Sequence, residues 1–198
     1  MRRLAVLLGL TIGCASRPGS ATSDLFAVSL PNAVGRPHFT LTTTAGAPFD
    51  FAQTTRGKLT YLFFGYTHCP DVCPATMANL GAVMNRLTAE ERTRLAVVFV
   101  TTDPARDSAA TLETWLDRFD RETIGLTGSI DEVERAERAA GVAVAIREPG
   151  ESYTVSHAAQ ILVYSPDDSG HVVYPFGTRQ AELADDLPKL LDRWGGRR

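Results

Sequence analysis

Two cysteines stand four positions apart in Gly65-Tyr66-Thr67-His68-Cys69-Pro70-Asp71-Val72-Cys73-Pro74, between an apolar run and the start of a helical pattern. In open α/β sheets, ligands bind at the carboxyl ends of strands, which is where this loop falls. A helix start offers unpaired backbone N–H groups and the positive end of a dipole, so Cys73, at or beside it, is expected as a thiolate. Thiolates support two chemistries. They exchange with disulfides, or they bind a soft ion, Cu(I) above all, with zinc as competitor. Dithiol reductases commonly place two residues between their cysteines; here there are three, and the spacing leans toward metal. Two thiolates alone give Cu(I) a linear site, and a third donor makes it trigonal and able to hold Cu(II). A disulfide across so short a span would brace almost no chain, which argues against a structural pair. His68 adjoins Cys69 and is one candidate third donor, although adjacent side chains diverge. Asp71 reads as a turn former.

The elements that position this loop follow from hydropathy. Residues 59–66 (LTYLFFGY) and 95–101 (LAVVFVT) are nearly continuous apolar runs, expected as strands buried on both faces. A helix from about Pro74 carries Met77, Leu80, Met84 and Leu87 on one face, so its methionines belong to a core stripe and not to a copper site. Residues 39–41 and 48–51 flank Ala45-Gly46 as an opening hairpin. Asp107 or Ser108 can cap a helix bearing Leu112, Trp115, Leu116 and Phe119. A short strand over 124–126 precedes a capping box at Ser129 and Glu132, and Gly141 stops that helix. Residues 160–164 and 171–174 form strands joined by a turn-rich segment. The last helix carries Leu183, Leu187, Leu190 and Leu191, and Pro188 either kinks it or marks its start. This order predicts an α/β domain of three layers with a central mixed sheet. The closing hairpin packed by a terminal helix points to a thioredoxin-like fold.

The block from Phe64 to Pro74 resembles the Sco/SenC family of copper-binding cytochrome oxidase assembly factors. The likeness continues at Asp103-Pro104-Ala105-Arg106-Asp107, at Ser156-His157 and at Tyr174-Pro175-Phe176-Gly177, and so covers about residues 39–194. The resemblance implies that Cys69, Cys73 and His157 bind one copper, as Cu(I), Cu(II) or both, and that the two cysteines can also close into a redox-active disulfide. It implies a carrier with no catalytic residues, which takes copper from a donor protein. The recipient would be the copper-site subunit of cytochrome c oxidase or another exported copper protein. Thioredoxins carry a cis-proline in the region that His157 occupies, and this sequence has none there. The alternative function is enzymatic: a thiol-disulfide oxidoreductase that reduces the recipient's cysteines. A peroxiredoxin-like peroxidase fits less well, because its second cysteine does not usually follow at this spacing. Asp103 and Asp107 read as helix caps, or else as groups that touch the site. His38 and His171 read as solvent-facing.

Composition agrees. The chain has 198 residues, 44% apolar and 22% charged, with a net charge of −3, an ordinary globular balance without a nucleic-acid footprint. Arg2 and Arg3 precede an apolar run over 4–12, long enough for a signal peptide and too short to span a bilayer. Ile12-Gly13-Cys14 resembles a lipoprotein signal in which Cys14 is lipidated, with Thr11 departing from the usual leucine. Cleavage nearby, after Ala15, would instead release a soluble protein. Either way the domain is exported, to the periplasm or the outer face of a bacterial membrane. The expected organisation is a signal over 1–14, a flexible tether over 15–38 and the copper-binding domain over 39–198.

Overall fold

The computed structural model describes residues 24–150 and 153–194. In chain order the elements are β1 (Val28–Gly35), β2 (Thr40–Thr43), β3 (Pro48–Asp50), the single turn α1 (Phe51–Thr54), β4 (Leu59–Gly65), α2 (Val72–Met84), α3 (Ala89–Thr93), β5 (Leu95–Thr101), α4 (Ala109–Leu116), β6 (Ile124–Thr127), α5 (Ile130–Ala139), β7 (Ile146–Arg147), β8 (Val155–Ser156), β9 (Ile161–Tyr164), β10 (Ser169–Tyr174) and α6 (Gln180–Trp194). The main sheet has the order β1-β10-β9-β4-β5-β6-β2-β3, while β7 and β8 form a separate two-stranded sheet.

The apolar runs form the centre. β4 and β5 are parallel, buried at every residue, and paired from Leu59 against Leu95 to Gly65 against Thr101. Their side chains alternate between two cores, as strand geometry requires. Tyr61, Phe63, Val97 and Phe99 pack with Met77 and Leu80 of α2, Trp115 of α4 and Leu183 of α6. Leu62, Phe64, Val98 and Val100 pack with Phe51 of α1 and Val133 of α5. β9 joins β4 from the other side, antiparallel. The result is the expected three-layer, thioredoxin-like arrangement with a mixed sheet.

Local chemistry sets the boundaries. β2 and β3 form the opening hairpin. Ser108 caps α4 through Thr111 N, and Ser129 and Glu132 make the capping box of α5. Pro188 lies inside α6, which begins well before it at Gln180 and buries Leu183, Leu187 and Leu190. Among the described residues no helix is long and apolar enough to cross a membrane.

One expectation is corrected. The segment read as a tether over 15–38 contains β1, which pairs antiparallel with β10 from Val28 against Val173 to Gly35 against Ser169. Just before it, Leu25 and Ala27 are buried, and the Asp186 carboxylate of α6 accepts from Phe26 N at 3.0 Å and Ala27 N at 2.9 Å. Just after it, Arg36 is buried and donates to Asp168 (3.0 Å), Thr55 (2.8 Å), Thr60 (2.9 Å) and the carbonyls of Lys58 (3.0 Å) and Ser165 (2.9 Å). β1 is an edge strand whose side chains are almost all exposed, so it shows no apolar alternation, and backbone pairing and one buried cation hold it instead. The 1–14 signal, Cys14 and the tether up to residue 23 lie outside the described residues.

Candidate metal centre

The cysteine loop is held at both ends. At the end of β4, Gly65 O accepts from Thr102 N at 2.7 Å. Beyond the loop, α2 starts at Val72, two residues before the expected Pro74, with Asp71 as N-cap but without a side-chain capping bond. Cys73 therefore lies inside the first turn, fully buried, and Cys69 is half-buried above it. Cys73 N, one of the unpaired N–H groups of that turn, lies 3.4 Å from Cys69 Sγ. Both thiols are free.

In the metal-free site the two thiols share a proton unequally. The charge-bearing sulfur is Cys69. A hydrogen bond from the Cys73 thiol, outweighing partial burial and aided by the N–H groups of Cys73 and Asp71, brings its pKa down to about 4. Cys73 is pushed the other way, first because its proton is donated to Cys69 and then by burial. The helix start does favour a thiolate, but on Cys69, three residues before Val72, and not on Cys73 within the first turn.

His157 arrives from the opposite direction, between β8 and β9. Its Nε2 stands 3.4 Å from Cys73 Sγ, and its Nδ1 lies 3.0 Å from Ala158 O. With the ring proton on Nδ1 donated to that carbonyl, the Nε2 lone pair faces the sulfurs. Tyr66 and Phe63 confine the imidazole edge-on, with centroids at 5.6 and 6.0 Å. The three candidate donor atoms lie within 4.8 Å of one another. Metal–ligand bonds of about 2.0–2.3 Å place donors about 3.5–4.5 Å apart around one ion, so small adjustments close the set. A cleft of about 340 Å³ opens beside it, lined by Tyr66, Cys69, Pro70, Val72, Ser156 and His157 among others.

The rival histidine is elsewhere. His68 is exposed, with Nδ1 3.1 Å from Thr67 Oγ1 and 3.4 Å from Asp107 Oδ1. His38 is exposed; His171, expected in solvent, is partly covered, paired with Asp167 at 2.7 Å and stacked on Trp194. Met77 and Met84 are core residues.

Asp103 and Asp107 are not caps. Both are fully buried. Asp107 accepts from Thr67 N at 2.9 Å, Thr67 Oγ1 at 2.6 Å and Thr101 Oγ1 at 2.7 Å, tying the cysteine loop to β5. Asp103 accepts from Arg106 Nε and from Tyr153 Oη at 2.8 Å. Sequence reasoning missed Gly65, Tyr66 and Tyr153. A Cβ on Gly65 would meet Cys73 Sγ at 2.9 Å, and the glycine between a buried strand and the cysteine loop was the available clue. Tyr66 and Tyr153 carry no local signal, because their partners are remote in sequence.

Comparison with known proteins places this geometry. A family model described as SCO1/SenC matches residues 28–192. A putative copper-binding protein of Stutzerimonas stutzeri is 36% identical over 166 residues, covering 82% of this chain and 80% of the relative. Apo Sco1 of Thermus thermophilus superposes with a TM-score of 0.75 at 28% identity, covering 86% of this chain and 99% of that one. ScoI of Bradyrhizobium japonicum with copper bound gives 0.70 at 31% identity, covering 80% and 99%. Mitochondrial Sco relatives are longer, and the chain matches 34–60% of their length.

Proposed function

Because the chain belongs to the SCO1/SenC family, we propose that it carries copper, held by Cys69, Cys73 and His157, for assembly of the copper centre of cytochrome c oxidase. Copper here is cargo, accepted and passed on by exchange of ligands. The observation that carries the reading is the convergence of two sulfurs and one imidazole nitrogen within 4.8 Å, from segments 84 residues apart. Two soft thiolates suit Cu(I), and the imidazole adds the nitrogen donor that Cu(II) favours. Half-burial leaves Cys69 reachable by a partner's ligand, while buried Cys73 anchors the ion.

Metal content and visible spectrum of the domain, loaded separately with Cu(I) and Cu(II), test this. One copper per chain is expected, and Cys69→Ser or Cys73→Ser removes tight binding. In His157→Ala, Cu(I) is retained more weakly, while Cu(II) is lost or its thiolate absorption shifts. Full copper retention in the double cysteine variant refutes the site, and preferential loading with zinc under competition refutes copper.

The depressed Cys69 pKa favours a second reading on the same residues. Cys69 thiolate attacks a recipient's disulfide, one recipient sulfur leaves, and Cys73 resolves the mixed disulfide, so that two electrons pass and Cys69–Cys73 closes. The proposal also places the domain outside the cytoplasm, tethered through a lipid on Cys14. Loss of membrane partitioning in Cys14→Ser supports the anchor, and a soluble wild type refutes it.

A further inference from the structure

We propose that the loop of residues 103–107 is a two-armed bracket for the metal centre, in which Asp103, Arg106 and Tyr153 are positioning residues that hold His157 over the cysteines; this rests on the copper reading above.

The two arms of the site are fixed very differently. The cysteine arm is continuous with β4 and α2, and Asp107 pins it through Thr67. The histidine arm leaves α5 and passes through β7 and β8, a separate sheet with no ladder to the eight-stranded one. The main sheet takes the chain back only at Ile161, after His157. Buried Ala145 and Val155 anchor what lies between to the core, and polar contacts to the bracket and its neighbours fix its direction. Tyr153 Oη donates to Asp103 Oδ1 at 2.8 Å, while the other oxygen of that buried carboxylate accepts from Arg106. The Arg106 guanidinium stacks 3.7 Å over the Tyr153 ring. Arg147 of β7 donates to Thr102 O, and Val155 N approaches Tyr66 Oη at 3.4 Å.

A carboxylate that accepts a charge-assisted bond on one oxygen and a phenol on the other fixes both partners in direction as well as distance. Stacking of a guanidinium on an aromatic face adds attraction and excludes water from the pair. Tyr153 precedes His157 by four residues, with the paired Val155 and Ser156 between, so displacement of the tyrosine displaces the imidazole. The Asp103–Arg106–Tyr153 arm thus governs the third donor, while the Asp107 arm holds the thiol pair whether or not the first is closed. With the first arm closed the site has three donors; with it open, two. Asp103, Arg106 and Tyr153 set coordination number, and through it the hold on Cu(II), without touching the ion.

The test compares wild type, Tyr153→Phe, Tyr153→Ala and His157→Ala. In the apo proteins, modification of His157 by diethyl pyrocarbonate is followed by peptide mass. Cu(I) stoichiometry and Cu(II) affinity and spectrum are then measured. Tyr153→Phe loses one hydrogen bond to a charged acceptor and keeps the stacking, so the open population and the His157 modification rate rise about tenfold. Tyr153→Ala loses both and reacts faster still. Both variants keep one Cu(I) per chain and bind Cu(II) more weakly, approaching His157→Ala. Circular dichroism checks folding; if Tyr153→Ala does not fold, Tyr153→Phe decides. Wild-type protection of His157 together with a wild-type Cu(II) spectrum in the folded variants overturns the bracket. A wild type that takes up no copper overturns the copper reading instead, whatever the protection data show.

Discussion

Gly65→Ala is the sharpest perturbation the site offers. An added Cβ lies 2.9 Å from Cys73 Sγ, 3.0 Å from a Phe63 ring carbon and 3.1 Å from one of Phe99. Ordinary contacts need about 3.5–4.0 Å, so neighbours must retreat by about 0.5 Å or more. Both phenylalanines are fully buried between sheet and helices and have nowhere to go, which leaves the sulfur to move. Overpacking of this kind costs about 1–3 kcal/mol. For a domain of this size, each kcal/mol lowers the melting temperature by about 2–4 °C. Metal sites tolerate ligand misplacement of only about 0.2 Å, so the displaced sulfur exceeds what a bond can absorb. Copper affinity should fall about 10- to 100-fold, the usual penalty for disturbing the groups that seat a ligand. A chelator-competition titration for Cu(I), alongside thermal melting, measures both effects. Gly46→Ala is the control: its φ is +81° with open space around it, so it strains the β2–β3 turn and leaves copper binding unchanged. Wild-type copper affinity and melting in Gly65→Ala would refute the reasoning.

Arg36→Met should destabilise the apo domain by about 3 kcal/mol, at the low end for a broken buried pair, because Asp168 is 43% exposed and can rehydrate. The melting temperature drops by about 6–12 °C; an unchanged melt would return residues before Phe39 to the role of a tether. His68→Ala should leave copper stoichiometry and the Cu(II) spectrum as in wild type, and loss of the Cu(II) band would move the third donor to His68. In the apo protein at pH 6, iodoacetamide should alkylate Cys69 and spare Cys73, as read by peptide mass. The same depressed pKa makes the unfolded state bind the extra proton between about pH 4 and the ordinary thiol range, so apo stability rises with pH across that window and is lost as pH falls through about 4. Cys69→Ser should flatten that dependence, and an unaltered pH profile in the variant would count against a Cys69 thiolate.

The parts of the molecule that are locally encoded were legible. β4 and β5 declare themselves as apolar runs, because both their faces are buried, and the caps at Ser108 and Ser129 are readable, because their partners lie three residues away. What was hidden depends on distant partners. β1 shows no alternation because it sits at the edge, and Arg36, an ordinary surface type, is buried only because Asp168, Ser165 and Thr60 converge on it. Asp103 and Asp107 carry the composition of helix caps, and only the fold shows that their oxygens serve Tyr153 and Thr67. That the charge settles on Cys69 was hidden too, because it depends first on the Cys73 thiol donating back across the loop. The helix starts at Val72, so that Cys73 N, in its first turn, also points back at Cys69.

The separation between donors has a consequence for how copper and folding interact. Cys69 and Cys73 are close in any conformation of the chain, even a denatured one, since closing so short a loop costs little entropy. His157 lies 84 residues beyond Cys73 and meets the sulfurs only in the folded domain. An unfolded chain can therefore already hold Cu(I) through its two thiols. Ligand binding stabilises a native state only by the affinity that the unfolded state lacks. The increment of stability that copper gives this domain then reflects chiefly the imidazole, and falls short of what the full binding affinity would suggest. For a carrier, that means cargo can be taken aboard before folding is complete, and the histidine reports that it has finished.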